Sequence, residues 1–266
     1  MTLKLFLLYL FAVLIHILLI GFQGFGYFRD DLESKKPEKA LVDCDRREIS
    51  QPCEFINFSN ASTILLLGDS TAGNLIQVLH DVSREHRMNL VVFTQGGCQS
   101  QYFAQNKKSV GICDLVNSST STYIRRANPK FVIISNSVTN LVQVNSSVES
   151  GKRISKIAGK VLMVGAPPKF PDRNQYGKSG SFFSTVYQAP KEFSIQSFSH
   201  GYFIDKTYNQ LAKANNLSFK SIFTELCDHN SCKRFVNGKW IYYDSDHLNT
   251  FGTYLLRDAL EKFLES

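Results

Sequence analysis

Two short segments at opposite ends of the polar part of this chain carry residue types that can do acyl chemistry. The first, Leu65-Leu66-Leu67-Gly68-Asp69-Ser70-Thr71, is an apolar run that breaks at a Gly-Asp-Ser turn, and the second is Tyr243-Asp244-Ser245-Asp246-His247-Leu248. A turn of this kind can present a serine hydroxyl at the carboxyl end of a strand, where open α/β sheets keep their sites. A hydroxyl is a weak nucleophile and needs a base, and an Asp-x-x-His segment supplies base and orienting carboxylate from one loop. Ser70 is thus the candidate nucleophile and His247 the general base that later protonates the leaving group. Asp244 would fix the imidazole tautomer and stabilise its charged form. Taken singly, each half has an ordinary reading, a serine capping the next helix or a solvated loop; it is their joint occurrence that points to a Ser-His-Asp site, whose chemistry calls for no cofactor or metal.

Such a site also needs donors for the oxyanion of the tetrahedral intermediate. Thr94-Gln95-Gly96-Gly97-Cys98 offers the Gly97 N–H, Ser135-Asn136-Ser137 offers the Asn136 amide, and the Ser70 N–H completes the set. Gly97 and Asn136 also read as ordinary turn residues.

The elements that must position these groups follow from hydrophobic spacing. Short apolar runs at Thr63–Leu67, Asn89–Thr94, Phe131–Ser135, Lys160–Gly165 and Leu217–Ile222 predict buried strands. Helical spacing predicts helices over Ala72–Arg84, Ser119–Ala127, Val148–Ile157, His200–Ala214 and Thr250–Leu264. The alternation implies a mostly parallel sheet with helices on both faces. Phe235 to Trp240 reads as a hairpin with an Asn237-Gly238 turn. Pro167 to Ser199 has no clear periodicity, and a segment of that length is a candidate for substrate recognition.

Outside this body, Leu5 to Phe22 is almost unbroken apolar sequence of about 18 residues, near the length that crosses a bilayer. We read residues 1–26 as a membrane anchor, with a cleaved signal peptide as the alternative. Residues 27–60 are polar and read as a stalk or cap, and 61–266 as one catalytic domain. Six cysteines fall beyond the apolar segment as three sequence-local pairs that suit disulfides, their connectivity left open. His229 between Cys227 and Cys232 admits a zinc reading, but no second cluster completes four ligands. Asn57, Asn60, Asn117, Asn145 and Asn216 head N-x-S/T acceptors. Together these favour a lumenal or extracellular body, membrane-tethered or secreted. The net charge of +7 comes from scattered basic residues without a nucleic-acid motif, so no nucleic acid partner is expected.

Leu67-Gly68-Asp69-Ser70, Gly96-Gly97-Cys98, the Cys227 to Cys232 loop and Tyr242 to Gly252 together resemble an SGNH (GDSL-type) hydrolase domain, of the variety fused to acyltransferase-3 membrane proteins. The resemblance runs from about Thr63 to Leu264 and implies a flavodoxin-like three-layer α/β/α sandwich. It also implies esterase or O-acyltransferase activity on acylated carbohydrate or lipid, with Ser70, Gly97, Asn136 and His247 as the four named positions and Asp244 completing the triad. The family's third block commonly reads Gly-x-Asn-Asp, so Asn140 rivals Asn136 here. Fused relatives carry a multi-helix membrane domain, whereas this chain has one candidate span, which points to a separate multi-span acyltransferase as a candidate partner. The altered third block leaves a second reading, a catalytically inactive module that binds glycan or protein.

Overall fold

A computed structural model describes residues 52–55, 58–99, 112–170 and 192–266. The apolar segment Leu5–Phe22, most of the region read as a stalk, Cys44, Asn57 and the middle of the long Pro167–Ser199 segment lie outside the described residues. Among the described residues no helix is long and apolar enough to cross a membrane.

The expected sandwich is present, and its centre is a six-stranded sheet. The strands are β1 (Cys53–Phe55), β2 (Thr63–Gly68), β3 (Asn89–Thr94), β4 (Phe131–Ser135), β5 (Lys160–Val164) and β7 (Ser218–Lys220), in the order β1-β3-β2-β4-β5-β7. All neighbours are parallel except β1, which runs antiparallel to β3. Within the region 27–60, read as a stalk or cap, Cys53–Phe55 pairs with the sheet. The parallel strands are apolar on both faces because helices cover both. Ile64, Leu66, Ile133 and Leu162 face one core with α2 (Ile76–Glu85) and α8 (Arg257–Glu265). Leu65, Leu67, Val132, Ile134 and Met163 face the other with α3 (Ile112–Ala127), α4 (Leu141–Ile154) and α5 (Ser199–Ala214).

Several helix boundaries differ from the sequence expectation. The helix expected over Ala72–Arg84 begins at Ser70 as α1 (Ser70–Asn74), breaks at Leu75 and resumes as α2. The closing helix likewise divides into α7 (Thr250–Tyr254) and α8. Helix α3 starts seven residues before the expected Ser119, and α4 starts at Leu141 rather than Val148, because the Asn140 side chain accepts from Gln143 N and caps it. Its first two turns are rich in Asn and Ser, weak helix formers that hide the pattern. The end of the long segment is ordered into β6 (Glu192–Ser194), paired with β8 (Ser231–Lys233), and a 3₁₀ turn over Ile195–Phe198. The expected hairpin forms from β9 (Phe235–Val236) and β10 (Lys239–Trp240), with Asn237 and Gly238 both at positive φ, as a tight two-residue turn requires.

Cys98 is bonded to Cys113 and Cys227 to Cys232, both sequence-local pairs, and Cys53 is also oxidised. The second bond removes both thiolates from the zinc reading. Disulfides of this kind belong to an oxidising compartment, which fits an extracellular or lumenal domain.

Candidate active site

Register alone brings three of the five candidate residues to one place. Gly68 at the end of β2 pairs with Thr94 of β3 on one side and Ser135 of β4 on the other. The segments that follow these three adjacent strands carry Ser70, Gly97 and Asn136. Gly68 holds φ +148 and sits so close to β4 that a Cβ there would lie 1.8 Å from Ser135 O. A side chain at this position is therefore excluded on both conformational and steric grounds.

Asp69 ties the turn together. It is buried, caps α1 by accepting from Thr71 N at 3.0 Å and Thr71 Oγ1 at 2.8 Å, and accepts from Ser137 N at 2.8 Å through its other oxygen. One carboxylate thus fixes the nucleophile turn and the loop carrying Asn136. Gln99 Nε2 donates to Ser137 O at 2.8 Å, which joins the loop after β3 to the same point. Gly97, with φ +73, occupies the third position of a β-turn closed by Cys98 N donating to Gln95 O, and Gln95 N donates to Gly68 O.

The base arrives from the far end of the chain. His247 Nε2 lies 2.8 Å from Ser70 Oγ across a sequence separation of 177 residues, and His247 Nδ1 lies 2.8 Å from Asp244 Oδ2. Protonated on Nδ1, the ring donates to Asp244 and leaves Nε2 to accept the serine proton. Asp244 Oδ1 accepts from the backbone N–H of Asp246 and of His247 at 3.0 and 2.8 Å. Partial burial acts to raise the Asp244 pKa, but these two N–H groups and the His247 ring outweigh it and hold the carboxyl below its ordinary value.

The loop bearing base and carboxylate is closed on itself. Tyr243 N donates to His247 O, Tyr242 bridges to Leu248, and the Tyr243 ring stacks on the imidazole with centroids 5.4 Å apart. Asn249 caps α7 through Gly252 N and donates from Nδ2 to Trp240 O at 2.7 Å. Gly252 packs so tightly that a Cβ would lie 2.3 Å from Ile241 O. Behind the loop Arg234, fully buried, donates from Nη2 to Asp244 O at 3.4 Å and lies over the Phe170 ring at 5.2 Å. Phe170 N donates to Ser245 O at 2.7 Å.

Ser70, His247 and Asp244 are therefore in mutual contact, and Gly97 and Asn136 occupy the loops on either side of the serine. Asn136 is fully buried, and its Nδ2 donates to Ser147 Oγ of α4 at 2.9 Å. Its rival Asn140 is exposed and committed to capping α4. Sequence reasoning missed the second role of Asp69, the buried Arg234 and the part played by Asp246. The last places Oδ1 3.4 Å from His247 Nδ1 and Oδ2 3.5 Å from Lys169 Nζ. Among the described residues Asp244, Asp246 and His247 gather potential metal-ligand atoms within 4.8 Å, but the ring nitrogens and the Asp244 oxygens are taken by the hydrogen bonds above.

A family model for the SGNH domain fused to AT3 domains matches residues 39–262, and the chain belongs to that family. No curated protein matches the sequence. Among solved structures, the periplasmic domain of a lipopolysaccharide acetyltransferase from Salmonella ser. Paratyphi A is similar with a TM-score of 0.62 at 14% identity, covering 87% of this chain and 90% of that one. A GDSL-like lipase from Bacteroides thetaiotaomicron gives 0.48 at 10% identity over 77% and 88%. A carbohydrate acetylesterase from Sinorhizobium meliloti gives 0.42 at 15% identity over 77% and 98%. At these identities the likeness is one of fold.

Proposed function

We propose that this SGNH-family domain is an O-acyl esterase or O-acyltransferase that works through a Ser70 acyl-enzyme. The observation that carries the reading is the continuous hydrogen-bonded line from Ser70 Oγ through both nitrogens of His247 to Asp244. His247 Nε2 takes the hydroxyl proton as Ser70 Oγ bonds to the acyl carbon, and the same proton passes to the alcohol oxygen as the ester C–O bond breaks. The Ser70 and Gly97 N–H groups are the candidate donors to the developing oxyanion, and Asn136, buried with its Nδ2 given to Ser147 Oγ, anchors the loop beside the serine. Water or a second alcohol then attacks the acyl-serine, with His247 again holding the proton, to give an acid or a new ester. Acetyl is the acyl group we favour and acylated carbohydrate or lipid the substrate class, in keeping with the lipopolysaccharide acetyltransferase domain that shares the fold. The apolar Leu5–Phe22 segment would tether the domain to a membrane, where a multi-span acyltransferase is a fitting partner.

The test is covalent. A serine-directed fluorophosphonate should label the wild-type protein and leave Ser70→Ala unlabelled, and hydrolysis of a chromogenic acetyl ester should fall by several powers of ten in Ser70→Ala and His247→Ala. Labelling that persists in Ser70→Ala rules out the nucleophile, and a wild-type protein that is neither labelled nor active supports an inactive binding module.

A further inference from the structure

The large apolar side chains that the described residues leave exposed are Leu115, Leu141, Val142, Tyr202, Phe203 and Tyr243, and they gather at one edge of the sheet. Leu141 and Val142 open α4, the helix that follows β4, and Tyr202 and Phe203 lie near the start of α5. His200 Nε2 donates to Thr139 O at 3.0 Å, which holds those two helix starts side by side. Leu115 follows Cys113, whose bond to Cys98 fixes the start of α3 beside the loop after β3. Tyr243 stacks on His247 at the triad itself. All of them therefore stand at the carboxyl ends of the parallel strands, the edge that carries Ser70. Val142 is 78% and Phe203 53% exposed. Apolar residues dotted singly over a surface are ordinary, whereas a set confined to one edge marks a surface of interaction.

The path of the chain says what covers this edge. Strand β1 runs antiparallel to β3, with Cys53 opposite Val92 and Phe55 opposite Leu90, so the polypeptide enters the sheet at its carboxyl edge. The sequence before that entry holds Leu5–Phe22, the apolar stretch long enough to cross a bilayer. A tether that leaves from the carboxyl edge draws that edge, and not the opposite one, toward the lipid. The residue types agree. Tyr202 and Phe203 are followed on the same helix by Lys206, also exposed, and aromatic rings with a nearby ammonium suit a headgroup layer, where the rings meet acyl carbons and the cation stays in water beside phosphate.

We infer that the carboxyl edge of the sheet rests on a bilayer surface, with Val142 and Phe203 in the headgroup layer and the Ser70 site facing lipid instead of bulk water. The inference rests on the reading of residues 1–26 as a membrane anchor and is independent of the acyl chemistry. The test uses the full chain in phosphatidylcholine nanodiscs, with a nitroxide attached in turn to Val142→Cys, Phe203→Cys and Lys213→Cys. Lys213, exposed in the last turn of α5, is the control, about 15 Å along the helix from Phe203. Collision of each label with oxygen, which concentrates among acyl chains, is compared with collision with a water-soluble nickel chelate. The oxygen-to-nickel ratio should be at least about threefold higher at positions 142 and 203 than at 213, as for side chains sunk into the headgroup boundary. Adding Phe203→Glu to the chain labelled at 142 should bring its ratio down to that of the control, and melting temperatures check that each variant is folded. Equal ratios at all three positions in a chain that stays with the disc overturn the orientation and leave the anchor standing. A chain that washes off the disc removes anchor and orientation together. Labels at 142 and 203 shielded from both reagents would assign the edge to a second copy of the chain, and a glycan on Asn145, three residues along α4 from Val142, would hold it in water; either result overturns the inference.

Discussion

Two carboxylates face one ring nitrogen in this site. Asp244 Oδ2, 2.8 Å from His247 Nδ1, accepts its hydrogen bond, and Asp246 Oδ1 stands 3.4 Å from the same nitrogen outside hydrogen-bond geometry, near enough to take over that bond if Asp244 is lost. In a triad with one carboxylate, conversion to the amide costs about four powers of ten in kcat, because the imidazole is left in the wrong tautomer. Here Asp244→Asn should cost about two to three, since Asp246 remains to hold the correct tautomer. Asp246→Asn alone should cost less than about tenfold, and the double variant should reach about four powers of ten. Steady-state rates on a chromogenic acetyl ester measure all three, and a single Asp244→Asn variant as slow as the double would show that Asp246 takes no share. The spacing Asp-x-x-His was legible in the sequence. The reach of Asp246 was not, because adjacent residues usually point apart, and only the closed Tyr242–Leu248 loop turns this one toward the ring.

The elements owe their placement to a few buried polar contacts between distant loops. Asp69 is the most connected of these, since Thr71 and Ser137 both depend on it. Asp69→Ala should destabilise the domain by about 2–4 kcal/mol, combining a lost helix cap with a stranded Ser137 N–H. Denaturant unfolding gives the first number, and acetyl-ester kcat should fall as well because the Asn136 loop loses its tie to the serine turn. The strands were readable from sequence, since runs such as Leu65-Leu66-Leu67 and Val132-Ile133-Ile134 are apolar on both faces only when helices cover both. The start of α4 was not, because Asn, Ser and β-branched Val are weak helix formers and leave Leu141, Val144 and Val148 as only a thin apolar stripe. The break at Leu75 also left no mark, since the residues around it keep the helical spacing of the buried face. Sequence could set Gly97 and Asn136 after their strands, but not decide between Asn136 and Asn140. That choice depends on Ser147 and Gln143, the hydrogen-bond partners that each one finds on α4.

At the scale of the molecule, a buried carboxyl couples stability to pH. The Asp205 pKa is raised from 3.8 to about 6 by burial, so the native state holds its proton more tightly than the unfolded chain. The sign follows: its contribution is fully present below about pH 4 and is lost as pH rises through about 6, a change of about 2–3 kcal/mol. Asp205→Asn should accordingly be more stable than wild type at pH 8 and draw level near pH 4, read from melting temperatures across that span. A wild-type stability that is flat over the same range would contradict the assignment of Asp205 as a buried titrating group.

The antiparallel strand β1 has a further effect, on what neighbouring molecules can do. Laid along β3 from Leu90 to Val92 and secured through an oxidised Cys53, it occupies the long flank of the sheet that would otherwise offer its amides to any passing extended peptide. The opposite flank is only the three residues of β7. Among the described residues each edge strand of the sheet is three residues long, so neither offers a long template for strand addition by a neighbouring copy.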